Sequence, residues 1–265
     1  MIFADFFYDY NTLTVLTLIF FAFSAGFMDS IAGGGGLIQI PALLINLPFE
    51  SVPTVLGTNK IASLSGTAVV ACQYSKRVKY NYLLLFIISI IAFIASNLGV
   101  LTLSYIDSSR LKPLILIILI IVAFYTFIKK DFGLSDQKQV PLKKQIFLGS
   151  IIGFTVGFYD GFFGPGTGSF LMLGFVYFLG FDLLSASAYA KAVNCITNIS
   201  ALIVFIAQGN FLLGIAIIMA ISNILGSLTG TKLAFIKGNK FIRIIFLIIV
   251  SFMILRYSYE IFLSN

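Results

Sequence analysis

The chain has 265 residues, of which 59% are apolar and only 10% are charged, and its mean hydropathy is +1.05. About a quarter of the residues of a soluble globular protein carry charge, so this composition excludes that class. The net charge is +7, but the basic residues lie in a few short loops between apolar runs. That pattern favours orientation in a lipid bilayer over binding of nucleic acid.

Apolar runs follow one another along the whole chain, and a membrane-spanning helix needs ~20 such residues. Eight runs meet this length and predict spanning helices: Leu13–Ile31, Thr58–Ser75, Tyr82–Ser104, Leu111–Ile128, Ile146–Phe163, Ser185–Ala207, Phe211–Thr231 and Phe241–Leu263. An open sheet is not stable in lipid, and the runs lack the alternation of barrel strands. The predicted fold class is therefore an all-α integral membrane protein.

Two shorter apolar runs, Leu37–Leu47 and Ser169–Gly180, do not have the length to cross comfortably. Each follows a glycine-rich break, at Gly33–Gly36 and at Gly164–Gly168. A glycine-rich break before a short apolar run predicts a re-entrant or discontinuous helix in each half of the chain.

The one long polar stretch contains five lysines and lies near the middle of the chain, at Lys129–Gln145. It predicts three parts: a first transmembrane repeat at 1–128, a cytoplasmic basic loop at 129–145, and a second transmembrane repeat at 146–265.

The two halves share a pattern of rare residues. Gly26-Phe27-Met28-Asp29 matches Gly157-Phe158-Tyr159-Asp160, which is a shift of 131 residues (160 − 29). Without any gap, the same shift relates Gly33 to Gly164, Gly35 to Gly166, Lys60 to Lys191, Gly99 to Gly230 and Lys112 to Arg243. Because it aligns the intramembrane Asp and Lys residues in one register, we interpret it as an internal duplication.

Loop charges predict how the repeats are oriented. The positive-inside rule places Lys76, Arg77 and Lys79 in the cytoplasm with the central loop, and the acidic N-terminus outside. Each half then crosses an odd number of times: three if its short run re-enters, five if that run completes a crossing. The repeats are therefore predicted to be inverted. The bases Arg110 and Lys112 lie on the predicted outer side and run against this assignment.

Four ionisable residues lie at apolar depth: Asp29, Asp160, Lys60 and Lys191. A charge at the bilayer centre costs at least ~2.5–3.5 kcal/mol, so these side chains must face the interior of the bundle, a partner or water. They are candidates for a transport site. The alternative is that Asp29 pairs with Lys60 and Asp160 with Lys191, or crosswise, only to lock helices together.

The glycine breaks suggest what such a site binds. Glycine brings bare backbone N–H groups close to a ligand, and the N-terminus of a restarting helix attracts anions. With Lys60 and Lys191, the predicted binding residues are Gly33, Gly34, Gly35, Gly36, Gly164, Gly166, Thr167, Gly168 and Ser169. The alternative is that the glycines only permit tight helix packing.

Amides near the lysines extend this predicted site. Asn59 precedes Lys60, and Asn194 follows Lys191 by about one helical turn. Both are candidate ligands of substrate oxygens. Gln39, Ser63, Tyr159 and Asn198 form a second tier. The alternative is that these groups only join helices by hydrogen bonds.

At these residues the sequence resembles the TauE/SafE sulfite exporter family, also called the toluene sulfonate uptake permease family. The resemblance rests on the motif Gly26–Gly36, on Pro41, on Gly57-Thr58-Asn59-Lys60, and on a weaker second copy at Gly157–Lys191. Tyr189-Ala190-Lys191 replaces Thr58-Asn59-Lys60 in that copy, and Pro165 interrupts its glycines. The resemblance implies a multi-pass transporter of the bacterial inner (plasma) membrane that carries sulfite, organosulfonates or similar anions. We predict its N-terminus to be outside.

The chain lacks the Gly-x-x-x-x-Gly-Lys-Ser/Thr motif of ATP-driven pumps, which predicts a secondary mechanism. Our hypothesis is that Asp29 or Asp160 binds and releases the coupling proton. The alternatives are an uncoupled anion carrier or channel and, from another class, an intramembrane hydrolase with paired aspartates. The absence of histidine argues against His-based zinc and nucleophile sites. We expect no cofactor and no metal, and as partners only a small anion and lipid.

Overall fold

The structure is a computed structural model that describes residues 10–128, 140–237, 251–252, 254–259 and 261. Its elements are α1 (Thr12–Ala32), α2 (Gly36–Asn46), α3 (Val52–Ser75), α4 (Tyr82–Leu103), α5 (Ser108–Ile128), α6 (Leu142–Phe162), α7 (Thr167–Leu179), α8 (Leu183–Ala207) and α9 (Leu213–Lys237). The described part of the chain contains no strand. The prediction of an all-α fold is confirmed for it.

Four of these helices are long and apolar enough to cross a membrane: Thr12–Ile31, Tyr82–Leu103, Leu183–Ala207 and Leu213–Leu233. The predicted spans at Thr58–Ser75, Leu111–Ile128 and Ile146–Phe163 are the helices α3, α5 and α6, which are not among those four. The two short apolar runs are the short helices α2 and α7.

Several helices begin earlier than the apolar pattern predicts. The helix α3 begins at Val52, because the Ser51 side chain accepts the Thr54 N–H and a proline occupies the first turn. The helix α6 begins at Leu142, within the stretch predicted as a basic loop. Most of that stretch, and most of the predicted span Phe241–Leu263, lie outside the described residues.

The halves of the chain interlock instead of lying side by side. In the described ranges α1 packs mainly on α9 and α6 packs mainly on α4, so each of these helices has its main partner in the other half. A Cβ added to Gly99 would overlap the Phe158 carbonyl oxygen, and one added to Gly230 would overlap that of Phe27. The 131-residue shift converts each of these contacts into the other.

The outward faces of the helices are apolar. Along α4 the side chains of Leu83, Phe86, Ile90, Ile94 and Leu98 are exposed, at the three- and four-residue spacing of one helix face. The opposite face of the same helix is buried. A continuous apolar face on the outside is what a lipid environment requires.

Candidate functional site

The first helix break lies between α1 and α2. Gly33 ends α1 with a left-handed φ of 76°, and its N–H donates to the Asp29 carbonyl at 3.0 Å. Glycine is the usual residue in this conformation at a helix C-terminus. The chain restarts as α2 at Gly36, so Asp29 lies in the last turn before the break.

The second break lies between α6 and α7 and is built in a similar way. Gly164 and Gly166 have φ values of 90° and 81°, and α7 begins at Thr167. The Tyr159 hydroxyl donates to the Pro165 carbonyl at 2.6 Å and so holds the turn against α6. Asp160 lies in the last turn of α6.

The two breaks are in direct backbone contact. A Cβ added to Gly33 would lie 2.5 Å from both Gly168 C and Ser169 N, and one added to Gly168 would lie 2.9 Å from Gly33 Cα. A Cβ on Gly36 would lie 3.1 Å from Pro165 Cα. The two predicted breaks therefore form one buried centre.

Two buried ion pairs surround this centre. Lys60 Nζ lies 2.8 Å from Asp160 Oδ2, and Lys191 Nζ lies 2.7 Å from Asp29 Oδ2. The exposed fraction of these four side chains does not exceed 11%. Each lysine thus pairs with the aspartate of the other half, the crosswise arrangement that the sequence left open. Breaking such a pair leaves an uncompensated buried charge, which is strongly unfavourable.

The two pairs are related by the 131-residue shift but differ in their other contacts. Lys191 Nζ also donates to the Asp29 carbonyl oxygen, and Thr67 Oγ1 donates to Asp29 Oδ2 at 3.2 Å. A lysine that binds the last carbonyls of a helix also interacts favourably with the helix dipole. The Asp160 carboxylate instead accepts from Thr167 Oγ1, 2.8 Å from Oδ1.

A cavity of about 20 Å³ lies between the breaks, with room for about one water molecule. It is lined by Asp29, Gly33, Gly36, Asn59, Lys60, Ser63, Asp160, Gly164, Gly166, Thr167, Gly168, Asn194 and Asn198. Four predicted binding residues are not in this lining: Gly34, Gly35, Ser169 and Lys191. Ser63 and Asn198, which the sequence placed in the second tier, are part of it.

The amides of the cavity differ in their partners. Asn59 is 5% exposed, and its Oδ1 has no hydrogen-bond partner among the described residues. The Asn198 Nδ2 donates to the Asn194 carbonyl at 2.7 Å. Because a buried, unpaired amide oxygen costs free energy, Asn59 Oδ1 is available to accept a hydrogen bond from a water or another donor in the cavity.

The sequence predicts no role for Thr67 and places Gln39 only in the second tier. Gln39 Oε1 accepts from Asn223 Nδ2 at 2.9 Å, which joins α2 to α9. A hydroxyl inside a helix usually bonds the carbonyl one turn back. The position of Thr67 in an apolar run therefore carries no signal of its contact with Asp29.

A family model described as "Sulfite exporter TauE/SafE" matches residues 18–257. The chain belongs to the TauE/SafE family. The match spans both helix breaks and both ion pairs, so the resemblance read from the motifs is confirmed.

Relatives of this TauE/SafE protein carry the names of membrane transporters. It is 38% identical over 232 residues to the "Probable membrane transporter protein ORF9" of Sinorhizobium sp, and the match covers 86% of each chain. It is 35% identical to a "Probable membrane transporter protein" of Haemophilus influenzae, over 91% of this chain and 93% of that one. It is 34% identical to the "Probable membrane transporter protein YfcA" of Escherichia coli K12, over 94% and 91%. No solved structure matches the chain. The family and the names of these relatives indicate a membrane transporter.

In the TauE/SafE motif Thr58-Asn59-Lys60, the first residue joins two helices and the other two line the cavity. Thr58 Oγ1 accepts the Leu212 N–H at 3.0 Å, just before α9, while Asn59 and Lys60 line the cavity. In the second copy the Tyr189 hydroxyl accepts the Asn81 N–H at 2.6 Å, just before α4. Tyr189 therefore keeps the contact of Thr58 although the residue type has changed.

Proposed function

We propose that this protein is a proton-coupled secondary transporter for a small sulfur-containing or organic anion, such as sulfite or an organosulfonate. The observation that carries the proposal is the buried centre where two glycine breaks meet beside Lys60 and two carboxylates. Membership of the TauE/SafE family supports the same class of substrate.

The proposal includes two inverted repeats in the plasma membrane, with the N-terminus outside. Contacts that exchange under one sequence shift support the repeats, and the loop lysines support their orientation. In this arrangement the short helices α2 and α7 run from the two breaks toward opposite sides of the membrane. Their N-termini, at Gly36 and Thr167, both reach the cavity.

The anion binds where Lys60 now faces Asp160. Lys60 supplies a full positive charge, and the N-termini of α2 and α7 supply partial positive charge. A cavity of about 20 Å³ has room for about one water, which is less than a sulfite or sulfonate group needs. Binding of the anion therefore requires the Lys60 and Asp160 side chains to move apart.

Charge balance links this movement to protons. A buried lysine needs a counter-charge, which either a carboxylate or a bound anion supplies. A proton on the aspartate removes the carboxylate charge and leaves the lysine to the anion. Proton and anion then occupy the site together and cross in the same direction, and the empty site returns with its ion pairs closed.

An uncoupled carrier is the second candidate, in which the aspartates only hold the lysines in place. The additional contact of Lys191 with the Asp29 carbonyl favours a structural role for that pair. A channel would carry currents far above carrier turnover, and a hydrolase would convert its substrate. Electrical recording identifies a channel, and transport measured together with product analysis separates a carrier from a hydrolase.

A thermal-shift screen of the purified protein tests anion binding. Sulfite and organosulfonates are expected to raise the unfolding temperature, because a ligand at 100 times its Kd stabilises by about 2.7 kcal/mol. The chain contains no tryptophan, so the helical circular dichroism signal is the readout.

The Lys60→Ala variant is expected to lose this shift. Lys112→Ala is the matched control, because Lys112 Nζ binds the Pro48 carbonyl in an exposed contact, and it is expected to keep the shift. An equal shift in wild type and Lys60→Ala would place the anion elsewhere.

A further inference from the structure

The Thr167 hydroxyl lies between two acceptors at equal distance. Its Oγ1 is 2.8 Å from Asp160 Oδ1 and 2.8 Å from the Gly164 carbonyl oxygen. A hydroxyl has one proton, so it donates to only one of them at a time, while its lone pairs remain free to accept.

This geometry gives Asp160 Oδ1 a hydrogen bond to Thr167 in both protonation states of the carboxyl group. When Asp160 is ionised, Thr167 donates to Oδ1. When Asp160 is protonated, its O–H donates to Thr167 Oγ1, and the threonine proton turns to the Gly164 carbonyl. No heavy atom has to move. We propose that Asp160, and not Asp29, carries the coupling proton, and that Thr167 is the positioning residue that holds Asp160 in both states. This inference rests on the proposed proton-coupled function.

Asp29 has a different set of partners. The 131-residue shift places Gly36 where the second copy has Thr167, so no hydroxyl occupies that position. Asp29 Oδ2 receives both Lys191 Nζ and Thr67 Oγ1, whereas Asp160 binds Lys60 through Oδ2 and Thr167 through Oδ1. The Asp29 oxygen that contacts a hydroxyl is therefore already bound by the lysine and has no place for a proton while that pair is closed. Lys191 is further tied to the Asp29 carbonyl. These contacts hold Asp29 in its pair with Lys191 and keep Lys191 on the end of α1.

The surroundings of Asp160 identify what its protonation changes. Lys60 from α3 is in contact with it, and Asp29 from α1 lines the same cavity. The neighbouring Tyr159 hydroxyl is engaged with Pro165, and Lys191 from α8 is engaged with Asp29. The helices α4 and α7 contain no Asp, Glu, Lys or Arg. Protonation of Asp160 thus releases Lys60, the lysine that lines the cavity.

The pH dependence of transport by Thr167→Val tests this inference. Valine removes a donor to the ionised carboxylate and an acceptor for the neutral acid, and the bond to the charged form is the stronger one. The midpoint of the pH profile is expected to move about one unit to higher pH. Thr167→Ser, which keeps the hydroxyl, is expected to restore the wild-type midpoint.

Thr67→Val is the matched control, because it removes the hydroxyl donor to Asp29, and its midpoint is expected to equal that of wild type. In an Asp160→Asn background, which lacks the titrating carboxyl group, Thr167→Val is expected to leave the remaining pH profile unchanged. Thr167→Ala serves the same purpose as valine if the valine variant does not fold.

Separate results contradict the inference and the proposed function. A uniform loss of rate in Thr167→Val without a change of midpoint shows a purely structural role and overturns the inference. A shifted midpoint in Thr67→Val with none in Thr167→Val assigns the proton to Asp29 and overturns it too. Wild-type transport that does not respond to a proton gradient overturns the proposed coupling itself.

Discussion

Lys60→Ala is expected to destabilise the protein by about 3–5 kcal/mol and to abolish transport. The variant leaves Asp160 as an unpaired carboxylate with 3% of its side chain exposed, in a centre with room for about one water. Unfolding followed by circular dichroism in detergent measures the first effect. Transport in liposomes measures the second.

A double variant separates stability from function. Lys60→Ala with Asp160→Ala removes both charges, so it is expected to recover much of the lost stability while transport stays absent. Lys112→Ala removes only an exposed contact to the Pro48 carbonyl, so it is expected to change neither stability nor transport appreciably. A Lys60→Ala protein as stable as wild type would contradict the buried ion pair.

Gly33→Ala is the second substitution with a large expected effect, and we expect it to prevent folding of the helix-break centre. The added methyl group would lie 2.5 Å from two backbone atoms of the other break, at a residue with φ of 76°. Backbone atoms of two packed helices cannot move apart without opening the cavity. The measurement is the yield of monodisperse protein and its unfolding temperature.

Gly209→Ala is the control for the backbone conformation alone. Gly209 has a similar φ of 71°, but a Cβ there would meet nothing within 4 Å. Its substitution is expected to cost only the strain of the left-handed region, about 1–2 kcal/mol. Equal effects of the two substitutions would contradict direct contact between the breaks.

The sequence predicted much of this centre because its signals are local. Asp29, Asp160, Lys60 and Lys191 are conspicuous as charges in apolar runs, and the glycine runs mark the breaks. Crosswise pairing was left open, because the 131-residue shift relates the two lysines and the two aspartates equally well in either arrangement. Only the packing of one half against the other decides between them.

Contacts made through single hydroxyls were beyond sequence reasoning. Thr167 was identified from its place after a glycine break, but its position between Asp160 and Gly164 depends on the turn geometry. Thr67 carries no signal in its helix. The start of α3 at Val52 differs from the predicted start at Thr58, because the capping residue Ser51 sets it and hydropathy does not reveal a cap.

We propose that this buried centre carries an anion together with a proton across the membrane. The most direct measurement is uptake of a labelled organosulfonate into liposomes that contain the purified protein, with and without an imposed pH gradient. A sulfonate stays ionised throughout the pH range used, so it does not leak across lipid as a neutral acid. We predict accumulation above the equilibrium level when the outside is acidic, and its loss when an ionophore collapses the gradient. Uptake that equals the level in protein-free liposomes would show that the protein does not carry the sulfonate, and uptake that is the same with and without the gradient would show that protons are not coupled to it.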